Sequence, residues 1–85
     1  MAADLSWTEI AALEQSEDYR ERFKGEYYAL RKRIHGLQRM LVKWNRGELD
    51  FDPSSSQATL EYQLRLMKQL KDVLEHRAQT EDIDL

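Results

Sequence analysis

The sequence of 85 residues contains no cysteine. That excludes disulfides, thiol nucleophiles and zinc–thiolate sites together. It has one proline and three glycines, so the chain has few places to turn. No apolar run approaches the roughly 18 residues that a membrane span needs. The opening Met1-Ala2-Ala3-Asp4-Leu5 has no basic stretch leading into an apolar one, so no signal peptide is expected. The phosphate-loop, dinucleotide-binding and serine-elbow motifs are all missing, and so is HExxH.

What is present is charge and helical periodicity. Charged residues make up 34% of the chain and hydrophobic ones 41%, and the formal net charge is −3. A mean hydropathy of −0.79 at 10.1 kDa fits one small helical domain with a polar surface. The charge is unevenly placed. Residues 1–18 hold five acids and no base, whereas residues 20–46 hold nine bases and two acids. Residues 47–53 and 79–85 carry three acids each and no base. A basic helix is therefore framed by acidic flanks.

The periodicity predicts a short helix over 6–16 and then a long helical hairpin. Ser6-Trp7-Thr8-Glu9 is a capping-box pattern, with Leu5 and Ile10 placed for a hydrophobic staple. A helix over 17–46 follows. Its seam is Tyr19, Phe23, Tyr27, Leu30, Ile34, Leu37, Leu41 and Trp44, spaced by alternating threes and fours. Gly25 and Gly36 lie inside it and mark either a simple cost or a close helix contact. Gly47 is placed to end it. Residues 47–53 form the loop, in which Leu49 and Phe51 are expected to fold back and plug the hairpin end. A second long helix over 54–79 carries Leu60, Leu64, Met67, Leu70, Leu74 and Ala78 on one face. The acidic tail, 80–85, is expected to be frayed.

The second helix carries more apolar surface than a hairpin hides. Tyr62, Leu66 and Val73 lie beside that face and, with Leu70 from it, widen the apolar arc to roughly 200°, against the ~100° stripe of an ordinary surface helix. The N-terminal helix, with Trp7, Ile10 and Leu13, and a second subunit are both expected to cover this surface. The expected fold class is thus all-α, with the hairpin assembling into a helical-bundle homo-oligomer through those four residues.

The first long helix has a second stripe, Lys24, Tyr28, Arg31, His35, Arg39, Val42 and Arg46, also spaced by threes and fours. A Lys/Arg-rich outer face is ordinarily just solvated. Tyr28 and His35 single this one out, because cations interleaved with rings suit an anionic, flat ligand: guanidinium forks for phosphates and rings for stacking. Lys24, Tyr28, Arg31, His35 and Arg39 are the candidate ligand-binding residues.

No catalytic, metal or cofactor residues are expected. Asp72 and His76 are spaced i, i+4, but no second half-site accompanies them. Glu48, Asp50 and Asp52 open like a calcium loop, but Pro53 and Thr59 stand where the glycine and glutamate belong. Ser54-Ser55-Ser56 has no histidine placed to serve it and is a turn and cap cluster.

Residues from about 20 to 79 resemble a family of short tailed-phage proteins named after a crAss-like phage product. Matching positions include Tyr19, Arg22, Glu26, Leu30, Arg33, Ile34 and Leu37 on the first long helix, and Leu60, Gln63, Leu64, Met67, Leu74 and Arg77 on the second. The specific part is the loop Gly47-x-Leu49-Asp50-Phe51-x-Pro53, whose spacing helix packing does not dictate. The resemblance implies a phage or prophage origin and carries over no catalytic residue. Small non-enzymatic phage proteins of this kind often block bacterial immunity, and some are helical-hairpin oligomers that sequester cyclic-nucleotide signals. The resulting expectation is a phage-encoded binding protein in the host bacterial cytoplasm, holding an anionic nucleotide on its basic helix face. The alternative is a protein-binding inhibitor of a defence effector such as a CRISPR nuclease. A phage structural or nucleic-acid accessory protein is the third reading.

Overall fold

The computed structural model describes residues 5–85. The leader reading rests on residues 1–5, of which 1–4, with one of the five N-terminal acids, lie outside the described residues. Three helices and no strand occur among the described residues: α1 Trp7–Glu14, α2 Tyr19–Asn45 and α3 Gln57–Thr80. The architecture is all-α, as the periodicity predicts, with each helix slightly shorter or later than the sequence suggests.

The caps explain the boundaries. Ser6 and Glu9 close the capping box reciprocally, the Glu9 backbone N–H donating to Ser6 Oγ at 3.1 Å and the Ser6 N–H to Glu9 Oε1 at 2.9 Å. Those bonds favour the ionised Glu9 carboxyl and hold it below the usual carboxylate range. Asp18 caps α2 by accepting from the Arg20 backbone N–H. Ser56, the last of the three serines, caps α3 by accepting from the Thr59 N–H, so α3 starts three residues later than the expected position 54.

Both long helices end in the same two-bond motif, with a left-handed residue after the cap. At α2 the Glu48 N–H donates to Lys43 O and the Gly47 N–H to Trp44 O, with Gly47 at φ +70°. At α3 the Ile83 N–H donates to Ala78 O and the Asp82 N–H to Gln79 O, with Asp82 at φ +58°. Aspartate tolerates this conformation better than most residues. Its effect is to turn Ile83 back into the core, where it is 7% exposed. The tail expected to be frayed is therefore packed. Arg20 reaches over to donate to the Asp82 carbonyl. Tyr19 donates to Glu81 at 2.7 Å and accepts from Arg77 at 2.8 Å, and Arg77 also bonds Glu81 at 3.2 Å while covering the Phe23 ring.

This clasp joins the start of α2 to the end of α3. At the other end Gln57 Nε2 donates to Asn45 Oδ1, so the two helices run antiparallel. The core gathers at the clasped end: Ile10 from α1, Phe23, Tyr27, Tyr28, Ala29, Leu30 and Ile34 from α2, Leu74 and Ala78 from α3, and Ile83. Toward the loop only Leu41 is buried, and Phe51 is 53% exposed instead of plugging the hairpin end. α1 packs on α2, and its backbone does not come close to that of α3. Trp7 stays half-exposed, its ring flanked by Lys32 and Arg33, so the N-terminal helix does not cover the extra apolar surface of α3.

Gly25 and Gly36 prove unlike. A Cβ at Gly25 would lie 2.7 Å from Glu14 Cγ and 2.9 Å from the Glu14 backbone nitrogen, whereas one at Gly36 meets nothing within 4 Å. Gly25 lets the end of α1 approach α2, and Gly36 is a plain helix-propensity cost. Gly25→Ala is expected to destabilise by about 1–2 kcal/mol net of its propensity gain, and Gly36→Ala to stabilise by up to ~1 kcal/mol. Urea unfolding of the two variants should therefore move in opposite directions. Ile83→Ala is expected to cost about 2–4 kcal/mol in the same measurement. A frayed tail would leave stability unchanged.

Candidate anion-binding face

α2 projects Arg31, His35 and Gln38 from the side of its seam, and α3 faces them with Lys68 and Lys71. Between the helices lies an open groove of about 500 Å³, floored by Tyr27 and Ile34 and bordered by Asp72 and Glu75. A second hollow of about 450 Å³ continues from it along α2, past Arg39, Val42, Lys43 and Arg46 to Glu48. His35 and Gln38 border both, so the two form one continuous face. It holds six Lys or Arg against three acids, a formal +3 in a chain of −3.

The acids in the groove differ in their engagements. Glu75 accepts from the Tyr27 hydroxyl at 2.5 Å and pairs with Lys71 at 3.6 Å. Asp72 makes no such bond among the described residues and stands exposed at the rim. Arg31 lies over two rings, 5.8 Å from the Tyr27 centroid and 5.7 Å from that of Tyr28. The rings hold the planar guanidinium in place and leave its N–H edge for an oxyanion, so less freedom is lost on binding.

The five residues chosen from sequence fall into different settings. Arg31 and His35 are half-buried at the groove, and Arg39 is exposed in the adjoining hollow. Lys24 is half-buried two turns nearer the clasp than Arg31 and borders neither hollow. Tyr28 is the correction. Its ring is 9% exposed and belongs to the core with Ile10 and Ile83, packed edge-on against Tyr27 with centroids 5.2 Å apart. It supports Arg31 from beneath and offers no free face for stacking. What this face presents is charge and hydrogen-bond donors, not an aromatic platform. Tyr28→Ala would remove core packing and so does not test binding alone.

Sequence reasoning missed Lys68, Lys71 and Gln38. On α3 the bases and acids nearly balance, so Lys68 and Lys71 look like ordinary solvated charge. Only the pairing of the helices brings them opposite Arg31. Lys43 also lies outside the stripe of threes and fours and enters because the hollow wraps around α2.

Tyr27 carries a measurable signature of the groove. Burial, and then its bond to Glu75, push its hydroxyl up to about 12. The neutral form is favoured by the fold, so this stabilisation is complete below pH 10, the ordinary value, and is lost as pH rises through about 12. A tyrosinate absorbance titration is expected to show a late step near pH 12 that Tyr27→Phe removes.

No helix among the described residues is long and apolar enough to cross a membrane. No curated protein and no solved structure matches the chain. The family model described as Sequestin matches residues 17–80, a span that takes in all of α2, the loop and α3 and omits α1. The chain belongs to the Sequestin family.

Proposed function

We propose that this chain is a phage-encoded, non-enzymatic binding protein that sequesters an anionic nucleotide signal and thereby counters a bacterial immune system in the host cytoplasm. One observation carries the reading: an unbroken basic face from Arg31 to Arg46 in a chain of net negative charge. Phosphates suit it, because Arg31 and Arg39 present forked donors while Lys68 and Lys43 add point charges. The family's description agrees with a sequestering role.

Calorimetry against a panel of cyclic dinucleotides and larger cyclic oligonucleotides tests it. At least one probe is expected to bind and to be recovered chemically unchanged. Arg31→Glu and Arg39→Glu are each expected to weaken binding at least about tenfold, or ~1.4 kcal/mol, with the helical circular dichroism intact. A panel without binding, or variants that bind as tightly, would overturn the reading.

A second reading, inhibition of a defence effector through protein contact, draws support from the exposed acids Glu9, Glu14 and Glu17 and from the half-exposed Trp7. Removing residues 1–16 would not test it cleanly. Ile10 is 1% exposed in the core, so the truncation uncovers α2.

A further inference from the structure

The groove between α2 and α3 contains two acids among its cations, and the two differ in what they touch. Glu75 Oε2 accepts the Tyr27 hydroxyl at 2.5 Å and pairs with Lys71 Nζ at 3.6 Å. Asp72, three residues earlier on α3, borders the same groove and has no such partner among the described residues. A carboxylate that faces an anion site with nothing to offset it repels the ligand. Asp72 fits that description and Glu75 does not.

We propose that Glu75 is a positioning residue of the anion-binding groove, acting through Tyr27 on Arg31. The Tyr27 side chain is 5% exposed, and the hydroxyl held by Glu75 is its one polar atom. The Tyr27 and Tyr28 rings meet edge-on at 81° and form a corner. Arg31 sits over both sides of that corner, 5.8 Å and 5.7 Å from the two centroids. A bond that fixes the Tyr27 ring therefore fixes one wall of the Arg31 seat. It also strengthens that wall. A phenol that donates to a carboxylate becomes electron-richer, and its ring face attracts a guanidinium more strongly. Lys71 meanwhile offsets the Glu75 charge on the groove side. An acid thus orders the cation that meets the anion, and less freedom is lost on binding. Asp72 has no link of this kind, so its charge only opposes the ligand. The inference rests on the groove's being an anion site, but the Glu75–Tyr27–Arg31 linkage exists without ligand and is open to measurement there.

Charge alone predicts that removing either acid strengthens binding of a phosphate. The two acids are expected to act with opposite sign. In calorimetry of the full chain against inorganic tripolyphosphate, Asp72→Asn should tighten binding by up to about fivefold. Glu75→Gln should weaken it by about two- to tenfold, with helix content unchanged. Tyr27→Phe keeps the ring and drops the hydroxyl. In that background Glu75→Gln should no longer weaken binding, and Tyr27→Phe alone carries the test should Glu75→Gln lose helix.

Nuclear magnetic resonance of the ligand-free chain reads the linkage directly. The Arg31 Nε–H proton lies within two ring currents and should resonate upfield of the other arginines. Glu75→Gln should move it back toward them and lower the late tyrosinate step of Tyr27, and Asp72→Asn should do neither. An Arg31 signal indifferent to Glu75→Gln overturns the proposal, and so does a Glu75→Gln variant that binds tripolyphosphate more tightly. Failure of tripolyphosphate to bind the unaltered chain also overturns it, and a cyclic nucleotide that still binds then leaves the proposed function standing. An Arg31 signal and a tripolyphosphate affinity that respond as expected, in a chain that binds no cyclic nucleotide, count against the proposed function alone.

Discussion

Burial of the first half of α2 is the constraint on which the other elements depend. α1 and α3 both pack on α2, and their backbones do not approach each other closely. Seven of the eight buried residues of α2 fall between Phe23 and Ile34, and the eighth is Leu41. Each large side chain there contributes about 1.5–3 kcal/mol by leaving water. That burial draws in Ile10 from one side, Leu74 and Ala78 from another, and Ile83 from the tail. It also requires Gly25, because α1 approaches closely enough to leave no space for a methyl group.

Much of the fold was legible in the chain, for physical reasons that differ by element. The seam of α2 and the first face of α3 follow from helical periodicity. The capping box at Ser6 and Glu9 follows from side chains that satisfy backbone groups locally. The tail was misread because Ile83 carries no periodicity. Its burial depends on a left-handed turn at Asp82, which aspartate permits without announcing it. Phe51 was misread in the opposite sense, since an apolar residue between acids can be left exposed as readily as buried.

The candidate face was legible only in part. Arg31, His35 and Arg39 lie on one helix, so their spacing sufficed. Tyr28 shares that spacing but lies close enough to the seam for the core to claim it, and a helical wheel does not resolve the difference. Lys68 and Lys71 were hidden because their role arises from α3 facing α2. The face therefore offers charge more than ring shape, and Arg31 lies over two tyrosine rings.

The two ends of the hairpin are unequally secured. At one end Tyr19, Arg20, Arg77 and Glu81 tie the helices over a packed core, with the Glu81 carboxyl held below its usual range by the Tyr19 hydroxyl and the Arg77 guanidinium. At the other, Leu41 is the one buried side chain, and Asn45 and Gln57 close the gap. Local opening follows packing, so backbone amides should exchange with solvent faster toward the loop than beside the clasp. The hollow from His35 to Arg46 lies on this looser half. A polyanion settling there would bridge successive turns of α2 and stiffen them, so part of its binding energy would go into ordering the helix that receives it.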